Sequence, residues 1–172
     1  MSAQKHPPRP GRRSRPVIDR AAELLAEALE KDGVLALAGR GRVPGDLAEA
    51  LINSFDGYGM VKYLEHFCCG WEGNAALVSF LDDQAFYYLD KAHQEAIGDW
   101  VRAYDIKPEL PVGSAVLAVT RAGSEAGVIV GVDESLAQYQ IELVSEAAKN
   151  LWYRYTIFNF EDVSPALGQK EE

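Results

Sequence analysis

The stretch DIKPELPVG, Asp105–Gly113, separates two parts of the chain that have different periodicities. Its two prolines disfavour both a continuous helix and a paired central strand. Before it, residues 17–104 repeat apolar side chains at helical spacing, and after it, residues 113–163 form short β-prone runs. We therefore predict an α+β protein with a helical subdomain, a linker at 105–112 and a five-stranded antiparallel β-subdomain.

The composition places the chain among soluble proteins. Of its 172 residues, 48% are hydrophobic, which is ample for a packed core. No apolar run approaches the roughly 20 residues needed to span a bilayer, and the N-terminus has no segment of signal-peptide type. We expect a cytoplasmic protein that does not bind membranes. The only two cysteines are adjacent, so a disulfide framework is excluded.

The formal net charge of −9 is unevenly distributed. Residues 1–16 contain no acid and carry five basic side chains among prolines and glycine. A segment of this composition buries too little apolar area to offset its ordering entropy, so we expect a disordered basic tail. Such a tail can contact phosphates or an acidic surface, but a solvated extension is the simpler interpretation. Residues 164–172 are expected to form an acidic, disordered C-terminus.

Apolar spacing and capping signals predict five helices in residues 17–104. These begin near Pro16, at Asp46, at Tyr58, after Asn74, and at Asp82 or Asp83. The run VLALA, Val34–Ala38, is either a strand or a buried helical turn. The third helix is expected to extend to Cys69.

The stretch EHFCCGW, Glu65–Trp71, has the composition of a metal or redox site. On a helix, His66 and Cys69 share a face at i, i+3 spacing, whereas Cys68 joins the apolar face. A structural zinc site needs four ligands, and the chain offers too few nearby. We therefore expect no metal and no cofactor, with Cys68 as a small buried hydrophobe. A Cys69–His66 nucleophile has no residue in the sequence to orient its imidazole.

His93 falls within the apolar face of the last predicted helix, beside Leu89 and Trp100. Asp90 precedes it by three residues and can hold one ring nitrogen. We favour a structural histidine with a hydrogen-bond partner. The alternative is a proton-transfer group in a pocket that contains His93, Asp90 and Trp100.

A weak candidate for anion binding lies in GRGRVPGD, where Arg40 and Arg42 precede a predicted helix. An ordinary loop is the more frequent reading of such a stretch. The chain has no phosphate-binding or hydrolase motif. The β-part is acidic, which disfavours double-stranded nucleic acid as a partner.

The stretch LWYRYTIFNFEDVSP, Leu151–Pro165, predicts one long strand or two strands joined at a bend. Apolar and aromatic side chains occupy both of its sides over part of its length. A strand buried on one face only should alternate instead. The side carrying Trp152, Arg154, Phe158 and Phe160 is therefore our candidate for binding a partner.

Four predicted strands follow one another: a strand that begins at a glycine, GVIVGV, YQIEL and a strand that ends in FEDVSP. This order of strands resembles a Src-homology-type small β-barrel. Barrels of the transcription-elongation and nitrile-hydratase-β kinds share this order. The resemblance covers Pro111 to about Ala166 and implies a five-stranded barrel that usually binds another molecule. The helical part resembles no family.

Three functions are compatible with the sequence. The first, which we favour, is a non-enzymatic protein-interaction or assembly module whose partner is a second copy of the chain. The second is an enzyme with a pocket around His93. The third is an acidic regulator that competes for a basic, nucleic-acid-binding surface.

Overall fold

The structure, a computed structural model, describes residues 6–34, 42–121, 123–144 and 155–166. Within these ranges, four helices precede a five-stranded antiparallel sheet, which confirms the α+β class. The helices are α1 (Arg15–Lys31), α2 (Val43–Asn53), α3 (Gly57–Phe67) and α4 (Ala75–Tyr104). The strands are β1 (Ala115–Thr120), β2 (Gly123–Asp133), β3 (Gln138–Leu143), β4 (Thr156–Asn159) and β5 (Val163–Pro165).

The chain divides into a helical unit, Met1–Ala96, and a sheet unit, Ile97–Glu172. The division falls inside α4, and α4 itself ends at Tyr104, immediately before the predicted linker. No helix in the described ranges combines the length and apolar composition needed to cross a bilayer.

Helix α1 follows the prediction closely. Pro16 lies in its first turn, where a missing N–H costs no helical hydrogen bond. Gly33, two residues after the helix, adopts φ = +66°, a left-handed conformation that suits glycine. The core of the helical unit is built mainly from leucines on all four helices. Those that are almost fully buried are Leu25, Leu29, Leu47, Leu64, Leu77 and Leu81.

Helix α2 begins three residues earlier than predicted, at Val43. Asp46 therefore lies in the first turn and does not cap the helix. Its carboxylate accepts a hydrogen bond from Nε1 of Trp71 at 2.9 Å. Glu49, which follows Asp46 at the spacing of a capping box, instead accepts a hydrogen bond from Arg15 at 2.6 Å.

The two helices predicted after Asn74 are one continuous helix, α4, of 30 residues. Asn74 still acts at its start, because its Oδ1 accepts a hydrogen bond from Leu77 N at 2.8 Å. Asp82, expected to open a separate helix, instead accepts from the backbone N–H of Gly57 at 2.5 Å. Its carboxylate thus lies at the N-terminus of α3, where negative charge is favourable.

Helix α3 packs very closely against α4 at its first residue. A Cβ atom at Gly57 would lie 2.5 Å from both Val78 O and Asp82 N, which is far inside van der Waals contact. Asp56 caps the same helix by accepting from Gly59 N at 2.6 Å. The helix ends at Phe67, two residues before the predicted end, because Cys68 adopts an extended conformation.

The sheet has the strand order β4-β3-β2-β1-β5. The chain forms three successive hairpin pairings, and then β5 returns to pair with β1. The register between β2 and β3 shifts between Ile129 and Gly131, which leaves Val130 as the additional residue of a bulge. Alternation gives each strand one side toward a core and one outer side. The core side carries Val116, Ala118, Ile129, Tyr139, Ile141, Leu143 and Phe158.

The connection from β4 to β5 requires a strongly coiled sheet. These strands occupy opposite edges, which would lie about 19 Å apart in a flat sheet of five strands. The chain between Asn159 and Val163 spans at most about 14 Å, and part of it is a compact 3₁₀ helix, Phe160–Asp162. The edges must therefore approach each other, although the sheet is not closed into the predicted barrel.

We predicted either one long strand or two strands joined at a bend for Leu151–Pro165. The described residues of this stretch form two strands. Strand β4, the 3₁₀ helix and β5 succeed one another without a gap. Residues 151–154 and the run at 35–38 lie outside the described residues.

Tyr139 connects the sheet with the segment before β1. Its side chain is 1% exposed, and its hydroxyl accepts a hydrogen bond from Leu110 N at 3.0 Å. Its ring lies 4.3 Å from the ring of Phe160. A buried hydroxyl needs such a partner, so Tyr139 fixes this segment against the core.

The contact at Gly57 predicts a large effect of one methyl group. Gly57→Ala should lower the free energy of unfolding by about 3 kcal/mol, since the backbone of α4 cannot move aside easily. The matched control is Gly45→Ala on α2, where a Cβ would meet no atom within 4 Å. That change should be neutral or stabilise the protein by up to about 1 kcal/mol. Urea unfolding of both variants measures this, and equal stabilities would contradict the packing described.

Candidate interaction surface

The aromatic residues predicted to bind a partner are largely internal where the structure describes them. Phe158 is 9% exposed and pairs with Tyr139 across β3 and β4. Phe160 is half-buried and packs against the same core. Trp152 and Arg154 lie outside the described residues. The side of the strand that we predicted to be a surface therefore faces the core of the sheet unit at Phe158.

The opposite side of the sheet carries exposed apolar side chains. Val119 on β1 is 58% exposed, Val128 on β2 is 41% exposed, and Ile157 on β4 is 57% exposed. Leu117, half-buried, shares this side by alternation with Val119. We refer to Leu117, Val119, Val128 and Ile157 as the outer face. The alternation of side chains along the strands was the sequence signal for this face. Alternation alone does not indicate which side of a strand is buried.

A polar row divides the outer face. The register places Glu142 beside Val128 and Gln140 beside Ile157. The apolar positions of β1 and β2 therefore form one strip, and Ile157 lies across β3 from it. Further exposed apolar side chains occur at the bulge and next to strand ends: Val130, Val144 and Tyr155.

His93 is half-buried, and its hydrogen-bond partner comes from the N-terminal segment rather than from Asp90. Nε2 lies 3.0 Å from the carbonyl oxygen of Pro10. A carbonyl only accepts, so Nε2 carries the proton in this contact. Asp90 instead forms an ion pair with Arg12, with Nε 2.6 Å from Oδ1. Trp100 is buried in the part of α4 that belongs to the sheet unit.

The N-terminal arm, residues 6–14, follows a defined path on the helical unit. Besides its contacts with His93 and Asp90, its arginines lie over aromatic rings. The guanidinium of Arg12 is 5.7 Å from the centre of the Phe86 ring, and that of Arg13 is 5.0 Å from the centre of the Phe55 ring. We expect residues 1–16 to be disordered, but in the structure Pro10, Arg12 and Arg13 contact the helical unit. The amino-acid composition of a segment indicates how much apolar area it can bury. It does not reveal the ion pairs or cation–π contacts that the segment can form.

The two cysteines differ in exposure, but Cys68 is not the fully buried helical residue that we predicted. Cys68 is half-buried, and Cys69 is exposed. Burial raises the pKa of the Cys68 thiol, and the neighbouring Asp46 carboxylate raises it further. A raised pKa reduces the thiolate fraction and makes a thiol less reactive. His66 is exposed, and no three potential metal ligands are grouped among the residues that the structure describes.

Glu65 holds the end of α3 against the loop that contains the cysteines. Its Oε2 accepts from Lys62 at 2.8 Å, and its Oε1 accepts from Gly73 N at 3.0 Å. Both bonds favour the charged carboxylate, so the pKa of Glu65 is lowered, chiefly by Lys62. This stretch thus comprises the end of α3 and a loop that Glu65 tethers to it.

Arg42 is exposed at the N-terminus of α2 and makes no side-chain capping bond. Arg40, the other member of the predicted anion site, lies outside the described residues.

Comparison of the chain with protein families, with curated proteins and with solved structures found no match.

The cysteine environments predict unequal reactivity toward a thiol reagent. Near neutral pH, Cys69→Ala protein, which retains Cys68, should react at least about tenfold more slowly than Cys68→Ala protein. The difference should narrow as pH rises through the pKa of Cys68, because its thiolate then forms. Rates of colour development with an aromatic disulfide measure both effects. Equal rates at all pH values would contradict the environment described for Cys68.

Proposed function

We propose that the chain is a non-enzymatic protein-interaction and assembly module that forms a cytoplasmic homodimer through the outer face of its sheet. The observation that carries this proposal is the exposure of Val119, Val128 and Ile157 on one side of a sheet. Isolated exposed apolar residues are common, but several on one face mark an interaction surface. Covering them would contribute roughly 25 cal/mol for each Å² of apolar area removed from water.

The character of this face favours a second copy as its partner. Each chain carries a formal net charge of −9, so two copies repel wherever charged surfaces meet. A two-fold symmetric contact places the same patch on both sides, which an apolar strip satisfies without charge complementarity. Two such sheets pack about 10 Å apart, close enough for their valines to interdigitate.

The glutamine of the polar row is compatible with this arrangement. Gln140 both donates and accepts hydrogen bonds, so it can pair with a glutamine of the second copy. Trp152 and Arg154 lie outside the described residues and remain candidate partner-binding residues in addition to the outer face. Phe158 and Phe160 would then act beneath it by fixing β4.

The resemblance to a small Src-homology-type barrel belongs to this proposal. Support comes from the five strands, from the return of β5 to β1 and from the short connection that coils the sheet. The resemblance implies binding of another molecule and does not specify which one.

The two alternative functions receive less support from the contacts. His93 and Asp90, the central residues of an enzymatic pocket, are both engaged by the N-terminal arm. An acidic regulator would need a free carboxylate surface. On α1, Asp19 and Glu23 are ion-paired with Arg15 and Arg20.

A lysine on the outer face should separate the dimer. Val128→Lys places a charge within the apolar strip, while its cross-strand neighbour Glu142 can pair with it and preserve the sheet. We expect the dimer dissociation constant to rise about hundredfold, since the lysine and its neighbouring carboxylate must both lose hydration when the contact forms. Light scattering over a dilution series measures this change.

The matched control is Val112→Lys, which introduces the same charge at a valine that is 60% exposed and lies before β1. This variant should dimerise like the unmodified chain. A monomeric mass for the unmodified chain at high micromolar concentration would refute the proposal. Equal effects of both lysines would refute the assignment to the outer face.

A further inference from the structure

The N-terminal arm lies on a surface of the helical unit that combines three kinds of recognition. Asp90 provides a carboxylate to Arg12, Phe86 provides an aromatic face to the same guanidinium, and His93 binds a backbone carbonyl. Phe55 adds a second ring, under Arg13. We refer to Phe55, Phe86, Asp90 and His93 as the arm-binding surface.

The contacts are made by a segment that enters a β-turn, Gly11–Ser14, in which Gly11 O accepts a hydrogen bond from Ser14 N at 2.9 Å. Pro10 precedes this turn and Arg12 is its second residue, so the chain spans at most about 7 Å between them. Asp90 and His93 are separated by three residues of one helix, so their side chains lie about 5–6 Å apart on one face. The helix thus presents partners for the carbonyl before the turn and for the arginine within it at a matching interval.

We propose that the arm-binding surface is a receptor for peptides that place an arginine in a β-turn and that the N-terminal arm is its internal ligand. A basic peptide from another chain, with a carbonyl and an arginine at the same interval, displaces the arm. This inference concerns the helical unit and does not depend on the outer face of the sheet.

The contacts of the arm are suited to exchange. The side chains of Arg12 and Asp90 remain 42% and 56% exposed, so solvent screens their attraction and the ion pair contributes little. The arm remains bound because its short connection to α1 gives it an effective concentration in the millimolar range. A competing peptide succeeds when it binds more tightly or when the hold of the arm is weakened.

The test uses the full chain with Arg12→Ala, which weakens the internal ligand and leaves the receptor residues intact. The probe is the synthetic arm peptide PPRPGRRS, residues 7–14, titrated while the amide signals of Asp90 and His93 are followed by NMR. The peptide should bind the Arg12→Ala protein at least about tenfold more tightly than the unmodified protein. The peptide PPRPGARS, which replaces the corresponding arginine, should bind at least tenfold more weakly than PPRPGRRS.

One receptor variant and one control in the Arg12→Ala background complete the test. Asp90→Asn should weaken peptide binding about three- to fivefold, whereas Asp83→Asn, the same change two turns earlier on α4, should not alter it. Absence of shifts at about 5 mM peptide, above the effective concentration of a short tether, would overturn the proposal. Binding that is insensitive to Asp90→Asn would also overturn it. Because the dimer test probes the sheet, either proposal can fail while the other holds.

Discussion

The short step from β4 to β5 constrains every strand of the sheet unit. It joins the two edges of the sheet through a single 3₁₀ turn, Phe160–Asp162, so the sheet cannot remain flat. Coiling gives the sheet an inner side, which takes Tyr139 and Phe158, and leaves Val119 and Val128 on the outer side. The exposed apolar surface therefore arises from the topology, because one layer of strands encloses only one of its own faces.

Periodicity predicted the helical unit well, but the choice of partners by its carboxylates was not predictable. The spacing of apolar residues predicted α1 and the buried face of each later helix. Asp46 and Asp82 carried local capping signals, yet their partners, Trp71 and Gly57, are each 25 residues distant in the sequence. A capping signal describes what an aspartate can bind within one turn. It contains no information about a donor that the fold brings near.

The candidate surfaces show the same limit. Aromatic residues on both sides of the strand indicated correctly that both sides are apolar, but Phe158 lies in the core and Ile157 outside. Alternation over a strand of four residues does not distinguish the two sides, and the 3₁₀ turn changes the phase at Phe160. The partner of His93 was likewise inaccessible to sequence reasoning, because Pro10 lies 83 residues away in a segment whose composition indicated disorder.

The pairing of β1 with β5 also has a consequence for the order of folding. The pairs β1–β2, β2–β3 and β3–β4 join strands that are consecutive in the chain, whereas Val116 pairs with Pro165, about fifty residues later. Loop closure costs more entropy as the separation grows, and non-local pairings slow folding. We expect the consecutive pairings to form first and β5 to dock last. A nascent chain can thus pair its consecutive strands as they emerge, but it acquires its final edge only when β5 has left the ribosome.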